Sequence, residues 1–100
     1  MSRSQVESGK RWEREVARLL NVSRVIRNSY GETAPDVVTD NLVIEAKYRK
    51  TLAVESWLQQ VEAHKVPGKY CVVLARQHGG QAIAITRATD FLEILAEAAK

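Results

Sequence analysis

The chain has a single cysteine in 100 residues, Cys71, so no intrachain disulfide framework exists. That usage fits a reducing compartment. No set of cysteines and histidines has zinc-ligand spacing. No apolar run approaches the length of a membrane span, and the amino terminus is polar, unlike a secretion signal. The expected location is therefore the cytoplasm, or the host cytoplasm if the source is viral, with no membrane partner. Low-complexity tracts and internal repeats are also missing, so the chain should be globular. With 45% hydrophobic and 27% charged residues, it is expected to fold as one domain, 1–100, around a core that is adequate but not large.

Charge of one sign does not dominate either, since the net value is only +3. Its distribution is uneven. Residues 1–27 hold seven Lys/Arg against three acids, a balance of +4, and residues 28–100 hold eight against nine, or −1. A basic amino-terminal third suits contact with a phosphate backbone, which is salt-sensitive and independent of sequence. A solvated helix face, with Glu15 paired to Arg11 and Arg18, is the plainer alternative.

What is present is concentrated in one short stretch. Pro35-Asp36 is followed, nine residues after the aspartate, by Glu45-Ala46-Lys47. Between them, β-branched residues flank Asp40-Asn41, which reads as a hairpin. If those two residues form the loop, Thr39 pairs with Leu42, Val38 with Val43, Val37 with Ile44, and Asp36 lies opposite Glu45. Opposed residues share a face and side chains alternate along a strand, so Lys47 joins the two carboxylates. Leu42, Ile44, Ala46 and Tyr48 form an apolar row on the other face. Two opposed carboxylates repel, and a divalent cation between them reverses that sign. Hard cations such as magnesium take one or two carboxylates together with water and substrate phosphate. Such an ion polarises a phosphoryl oxygen and activates water, while Lys47 offsets charge developing on the phosphate. A surface cluster of Asp, Glu and Lys salt bridges would have the same sequence.

A third acid adds weight. Residues 10–20 have helical period, with Trp12, Val16, Leu19 and Leu20 in one stripe and Arg14, Glu15 and Arg18 on the opposite side. Glu13 falls beside Leu20 and before Ala17, on the inward flank. A glutamate there needs a partner, either an arginine at the core boundary or the face that carries Asp36 and Glu45.

Gly9-x-x-x-Glu13-Arg14-Glu15, Pro35-Asp36 and Glu45-Ala46-Lys47 together resemble the PD-(D/E)XK nuclease superfamily. Within it, the small size and the opening motif look most like the archaeal-type Holliday junction resolvases, including phage relatives. The resemblance spans roughly Gly9 to Ala75. It implies a restriction-endonuclease-like core with Glu13, Asp36 and Glu45 as metal-binding acids and Lys47 as the catalytic lysine. It also implies Mg2+, with Mn2+ as a substitute, a homodimer, and branched DNA as substrate, cut at four-way junctions by paired symmetric nicks. Nickases, flap-cutting and restriction-type enzymes share the same acidic core, and a non-catalytic DNA-binding module could retain the fold.

The rest of the chain reads as an α/β domain, a mixed central sheet of about five strands flanked by helices. Helix one begins between Ser4 and Ser8 and ends near Leu20. Strand one covers Ser23 to Ser29, and the hairpin supplies strands two and three. Helix two runs from about Val54 to Lys65, ahead of Pro67-Gly68. Strand four is Lys69 to Arg76, and strand five follows the Gln77–Gly80 turn from Gln81 to Thr86. Helix three starts near Thr89-Asp90, a plausible cap, and turns Phe91, Ile94, Leu95 and Ala98 inward. Lys10, Arg11, Arg14, Arg27, Arg49 and Lys50 are the candidate DNA contacts. Ser29 and Gln60 are accessory candidates, for a phosphate and for a water or phosphate respectively. A plain connector and a half-buried structural glutamine are the alternatives. Trp57 and Cys71 read as core, His64 as a helix-end dipole partner and His78 as solvated.

Overall fold

The computed structural model describes residues 3–20 and 35–100. The elements run α1 (Arg3–Leu19), β1 (Val37–Val38), β2 (Leu42–Arg49), α2 (Val54–Glu62), β3 (Tyr70–Gln77), β4 (Ala82–Ile85) and α3 (Ala88–Ala98). Among the described residues the sheet has four strands in the order β1-β2-β3-β4. The expected strand at 23–29, with Arg27 and Ser29, lies outside them. The sheet is mixed. β2 pairs antiparallel with β1 and parallel with β3, and β4 returns antiparallel.

β2 is therefore an interior strand, with ladder partners on both edges. It is also covered on both faces. Ile44 and Ala46 pack with Trp12, Val16, Ala17 and Val37 beneath α1. Val43 packs with Trp57, Leu58 and Val61 of α2 and with Cys71, Val73 and Ala75 of β3. A strand covered on both faces normally reads as a continuous apolar run. β2 obeys that rule except at Glu45 and Lys47, both of which are buried, and at its last residue, the half-buried Arg49.

The hairpin has the register expected of a two-residue loop. Val37 faces Ile44, Val38 faces Val43, and Thr39 N–H donates to the Leu42 carbonyl at 2.9 Å. Asp40-Asn41 is a weak turn pair, and Thr39 completes it. Its hydroxyl accepts from the N–H groups of Asn41 (3.3 Å) and Leu42 (3.0 Å), the local side-chain bonding that steadies such turns. Lys69 Nζ donates to the Thr39 carbonyl, fastening the turn beside the start of β3.

Four expectations are corrected. In α1 the buried residues are Trp12, Val16 and Ala17, while Leu19 is 64% exposed. The small Ala17 lets the helix approach the sheet on the side away from Leu19, and this rotation carries Glu13, which lies between Leu20 and Ala17 on the helical wheel, further inward. α2 stops at Glu62, three residues early, because the chain tightens into i→i−3 bonds at His64 (to Val61, 3.0 Å) and Lys65 (to Glu62, 3.1 Å). α3 is not capped by Thr89 or Asp90. Its cap position is Arg87, in extended conformation and with no side-chain cap. Nor does α3 turn its apolar residues inward. Phe91, Leu95 and Ala98 are exposed, Ile94 is half-buried, and the helix buries nothing. Its first turn is tied to α2 instead, where Arg87 bonds Glu55 (2.7 Å) and Glu62 (3.0 Å).

Candidate active site

Alternation along β2 sets Val43, Glu45, Lys47 and Arg49 on the face covered by α2. Val43 is in the core, so the charged pair continues an apolar column towards the carboxyl end of the strand. Glu45 is 3% exposed and Lys47 7%. Their groups stand 3.7 Å apart, Nζ to Oε2. Gln60 of α2 bridges them. Lys47 Nζ donates to its Oε1 at 2.7 Å, and its Nε2 donates to Glu45 Oε2 at 3.3 Å. The accessory candidate on helix two thus belongs to the cluster, and one amide fixes both charged groups. Among the described residues no buried side-chain polar atom lacks a hydrogen-bond partner.

Asp36 arrives from the hairpin. Its N–H donates to the Ile44 carbonyl at 3.2 Å, and its Oδ2 accepts from Ala46 N–H at 2.9 Å. This backbone contact had no signal in residue type, only in the register that sets Asp36 opposite Glu45. The consequence falls on Glu45, whose carboxyl is pushed up to about 8. Burial is the first cause and the charge of Asp36 the second. Lys47 opposes them, and a hydrogen bond between the two carboxyl groups and the charge of Glu13 add to the rise. Asp36 on the hairpin and Glu13 on α1 are thus each within electrostatic reach of Glu45 on β2. Asp36 and Glu13 remain half-exposed, so the group is not sealed.

Comparison with models of known protein families, with curated proteins and with solved structures finds no match. The chemistry has to be read from the group itself.

An interior strand gains no stability from two buried charges. Desolvating an ion pair typically costs as much as the attraction returns, and well-packed apolar residues would serve the fold as well. Buried titratable groups with strongly shifted proton affinity mark functional sites more often than structural ones. The donor set here is hard oxygen, with two carboxylates in contact and a third nearby. Among the described residues no three acids, histidines or cysteines stand together in metal-holding geometry. Two carboxylates are nonetheless enough for Mg2+ or Mn2+, which keep waters and take substrate oxygens for their remaining positions. The charge of a divalent ion would also remove the need for the proton that Glu45 now favours. On these grounds the residues fit a hard divalent cation.

The basic candidates divide. Lys10 is one helical turn before Glu13 and follows the flank of α1 that leads to the acids, whereas Arg14, the residue after Glu13, turns about 100° away from it. Both are exposed. Arg49 shares the parity of Glu45 and Lys47, is half-buried, and donates to the Tyr48 carbonyl at 3.0 Å. Lys50 is exposed at the strand end. Arg11 points elsewhere. With Trp12, Glu15, Tyr48 and Arg76 it lines a cleft of about 390 Å³. Arg18 forms the expected surface pair with Glu15, 2.7 Å. His78 is exposed but not free of the fold, since it stacks on Tyr48 with ring centroids 4.6 Å apart. Cys71 is buried, its thiol pushed up by that burial first of all, consistent with packing rather than nucleophilic chemistry.

Proposed function

We propose that the chain is a metal-dependent endonuclease acting on branched DNA, with four-way junctions as its preferred substrate. The observation that carries this is the placement of Asp36, Glu45, Lys47 and Gln60 as one hydrogen-bonded group inside a sheet that has no structural need of charge. Asp36 and Glu45, with Glu13 completing the set, would hold Mg2+, which supplies Lewis acidity to the scissile phosphate and a lowered pKa to water.

The chain's own residues do the rest. Lys47 places a positive charge beside the carboxylates, where negative charge builds on the phosphate in the transition state. Gln60 holds that ammonium extended, so little reorganisation is needed when substrate arrives. Ala46 N–H keeps the Asp36 carboxylate turned onto β2. Lys10, Arg14, Arg49 and Lys50 neutralise backbone phosphates on either side, which positions the duplex arms without reading sequence. Paired nicks in a four-way junction require two such groups, one from each of two chains.

The test offers a synthetic four-way junction, a linear duplex and a flap to the protein with Mg2+, Mn2+ or EDTA. The proposal expects cleavage only with metal, fastest on the junction, and abolished in Asp36→Asn with junction binding retained. Binding without cleavage in either metal would leave a DNA-binding module. Equal cleavage of all three substrates would remove the junction preference.

A further inference from the structure

The sheet face opposite Glu45 and Lys47 carries a cleft that the cleavage chemistry does not use. It lies at the carboxyl ends of β2 and β3. Tyr48 and Arg76 are ladder partners there, and Ala82 of β4 is the next partner of Arg76. Opposed residues share a face, and alternation from Ile44 and Ala46 puts this row on the side covered by α1. Above it α1 presents one helical stripe, Ser8, Arg11, Trp12, Glu15 and Leu19. Helix and strands enclose about 390 Å³, which falls within the roughly 300–1,000 Å³ of small-molecule sites.

The walls combine flat apolar surface with positive charge. Trp12 Nε1 donates to the Leu74 carbonyl at 2.9 Å, which fixes the indole against the sheet. Tyr48 is held by its stack with His78, 4.6 Å between centroids and 28° between planes. Leu19, 64% exposed, adds apolar surface that the fold itself leaves wet. The charges are Arg11 and Arg76, both exposed. Arg76 Nε donates to the Gly80 carbonyl at 2.9 Å, which orients its guanidinium from the turn after β3.

Glu15 is the acid in the lining, and it does not neutralise Arg11. Arg18 binds it at two points, 3.2 and 2.7 Å. Its carboxyl is held below the usual range by that bond first, then by the charges of Arg18 and Arg76. Three guanidinium groups against one carboxylate leave this surface with a net +2.

That combination selects a class of ligand. A bare anion would leave the aromatic and leucine surface wet. An apolar ring alone would leave two guanidinium groups without a counter-charge. A nucleotide supplies a flat base for the aromatic wall and a phosphate, the anion whose geometry a guanidinium fork matches. The base must be unpaired, because in a duplex both of its faces are already stacked. A free mononucleotide and a nucleotide within a single strand share this chemistry.

We propose that the cleft is a nucleotide-binding site, separate from the acidic group, that takes an unpaired base against Tyr48 and its phosphate between Arg11 and Arg76. The inference does not depend on the cleavage chemistry.

Titration of the full chain in EDTA with deoxyadenosine monophosphate tests it. Trp12 lines the cleft, whereas Trp57 lies in the core beneath α2, so quenching of tryptophan fluorescence reads the site. The expected result is saturable quenching with a dissociation constant on the order of 100 µM. Arg11→Ala and Arg76→Ala should each weaken binding about tenfold. Both side chains are exposed, so neither change disturbs the core. Tyr48→Ala should weaken it by at least ~10-fold, with Tyr48→Phe close to wild type. Lys65→Ala, an exposed charge beyond the end of α2, should have no effect. A deoxyadenylate tetramer that binds at least ~10-fold tighter than the monomer assigns the site to single strands, and equal binding assigns it to the free nucleotide. Inorganic phosphate that binds as tightly as the nucleotide would leave only an anion subsite and overturn the proposal. So would binding undiminished in both arginine variants, a short duplex that quenches as strongly as the tetramer, or no quenching up to about 10 mM nucleotide. Failure on any of these counts leaves the metal-dependent cleavage assay to be decided on its own result.

Discussion

The two faces of β2 are made from alternate residues of the same eight, and they do different work. The α1 face carries Leu42, Ile44, Ala46 and Tyr48, an apolar row packed on Trp12, Val16 and Ala17. The α2 face carries Val43, then Glu45 and Lys47, held by Gln60. The middle of both rows is buried, Ile44 and Ala46 on one and Val43, Glu45 and Lys47 on the other, so accessibility alone does not separate them. They differ in the free energy of taking each side chain out of water, favourable by about 1.5–3 kcal/mol for an aliphatic chain and unfavourable for an ion. One face stabilises the domain, and the other draws on that stability to keep charges where water would not leave them. Substitutions on the two rows should therefore fail in different ways.

The sharpest contrast is in activity. Asp36→Asn, Glu45→Gln and Lys47→Met should each lower junction cleavage by at least ~10³-fold, about 4 kcal/mol of transition-state stabilisation, while junction binding measured in Ca2+ changes little. A charged-row variant that cleaves within tenfold of wild type would break the comparison. On the opposite face, Ile44→Ala should lower unfolding free energy by about 3 kcal/mol through lost burial and a residual cavity. Its cleavage rate should be near normal below the melting temperature. Denaturant titration and a single-turnover assay on the same preparation separate the two outcomes.

The charged row should also register pH. Glu45 is raised in the folded state to about 8 from an ordinary value of 4.5. Between those limits the folded chain holds a proton that the unfolded chain has released. Stability of the metal-free protein should therefore fall as pH rises from about 4.5 to about 8, with a slope of at most ~1.4 kcal/mol per unit. Melting curves in EDTA at pH 5, 6.5 and 8 measure the slope. Mg2+ should flatten it, because bound cation replaces the proton. Glu45→Gln should flatten it without metal and leave the EDTA form more stable than wild type at pH 8, by on the order of 1–3 kcal/mol. A slope unchanged in Glu45→Gln would mean that another group carries the linkage.

Gln60 tests a smaller contribution on the same face. Gln60→Ala removes the bridge but leaves the ion pair at 3.7 Å. The lost hydrogen bonds should cost about 1 kcal/mol of stability, and looser positioning of Lys47 should cost about tenfold in cleavage rate at saturating junction. Rescue towards wild type in Gln60→Glu at low pH, where a protonated carboxyl can bridge as the amide does, would separate positioning from bulk packing.

Legibility in the sequence followed the range of the interactions involved. The period-2 pattern and the Asp40-Asn41 turn are local, so they gave the hairpin register and with it the shared face of Asp36, Glu45 and Lys47. Glu13 and Gln60 were visible as polar residues within apolar helical stripes. The structure brings Gln60 to that face, while Glu13, on the helix that covers the other face, comes within electrostatic reach of Glu45. The failures involve choices made between elements. Leu19 is a better core residue than Ala17 by hydrophobicity, but close approach of α1 to the sheet selects the smaller side chain. In α3 the apolar arc was legible, but its direction was not. Whether an arc faces inward depends on what else is available to cover it. Here Arg87, Glu55 and Glu62 anchor the helix by its end, and Asp90 on its polar side accepts from Cys71 N–H, which leaves the apolar arc outward.

Thr39 carries the smallest expected effect, and it tests how the faces are assigned at all. Its hydroxyl steadies the turn that decides which residues of β1 meet which of β2. A slip of one residue would take Asp36 to the other face and separate it from Glu45. Val37 is fully buried beneath α1 with Ile44, however, and burying Val38 in its place would forfeit that packing, so the register is held by the core as well as by the turn. Thr39→Ala should therefore cost only about 0.5–1 kcal/mol in unfolding free energy and leave cleavage within about twofold of wild type. A loss of activity well beyond the loss of stability would show that the turn, and not the core, keeps the two carboxylates opposed.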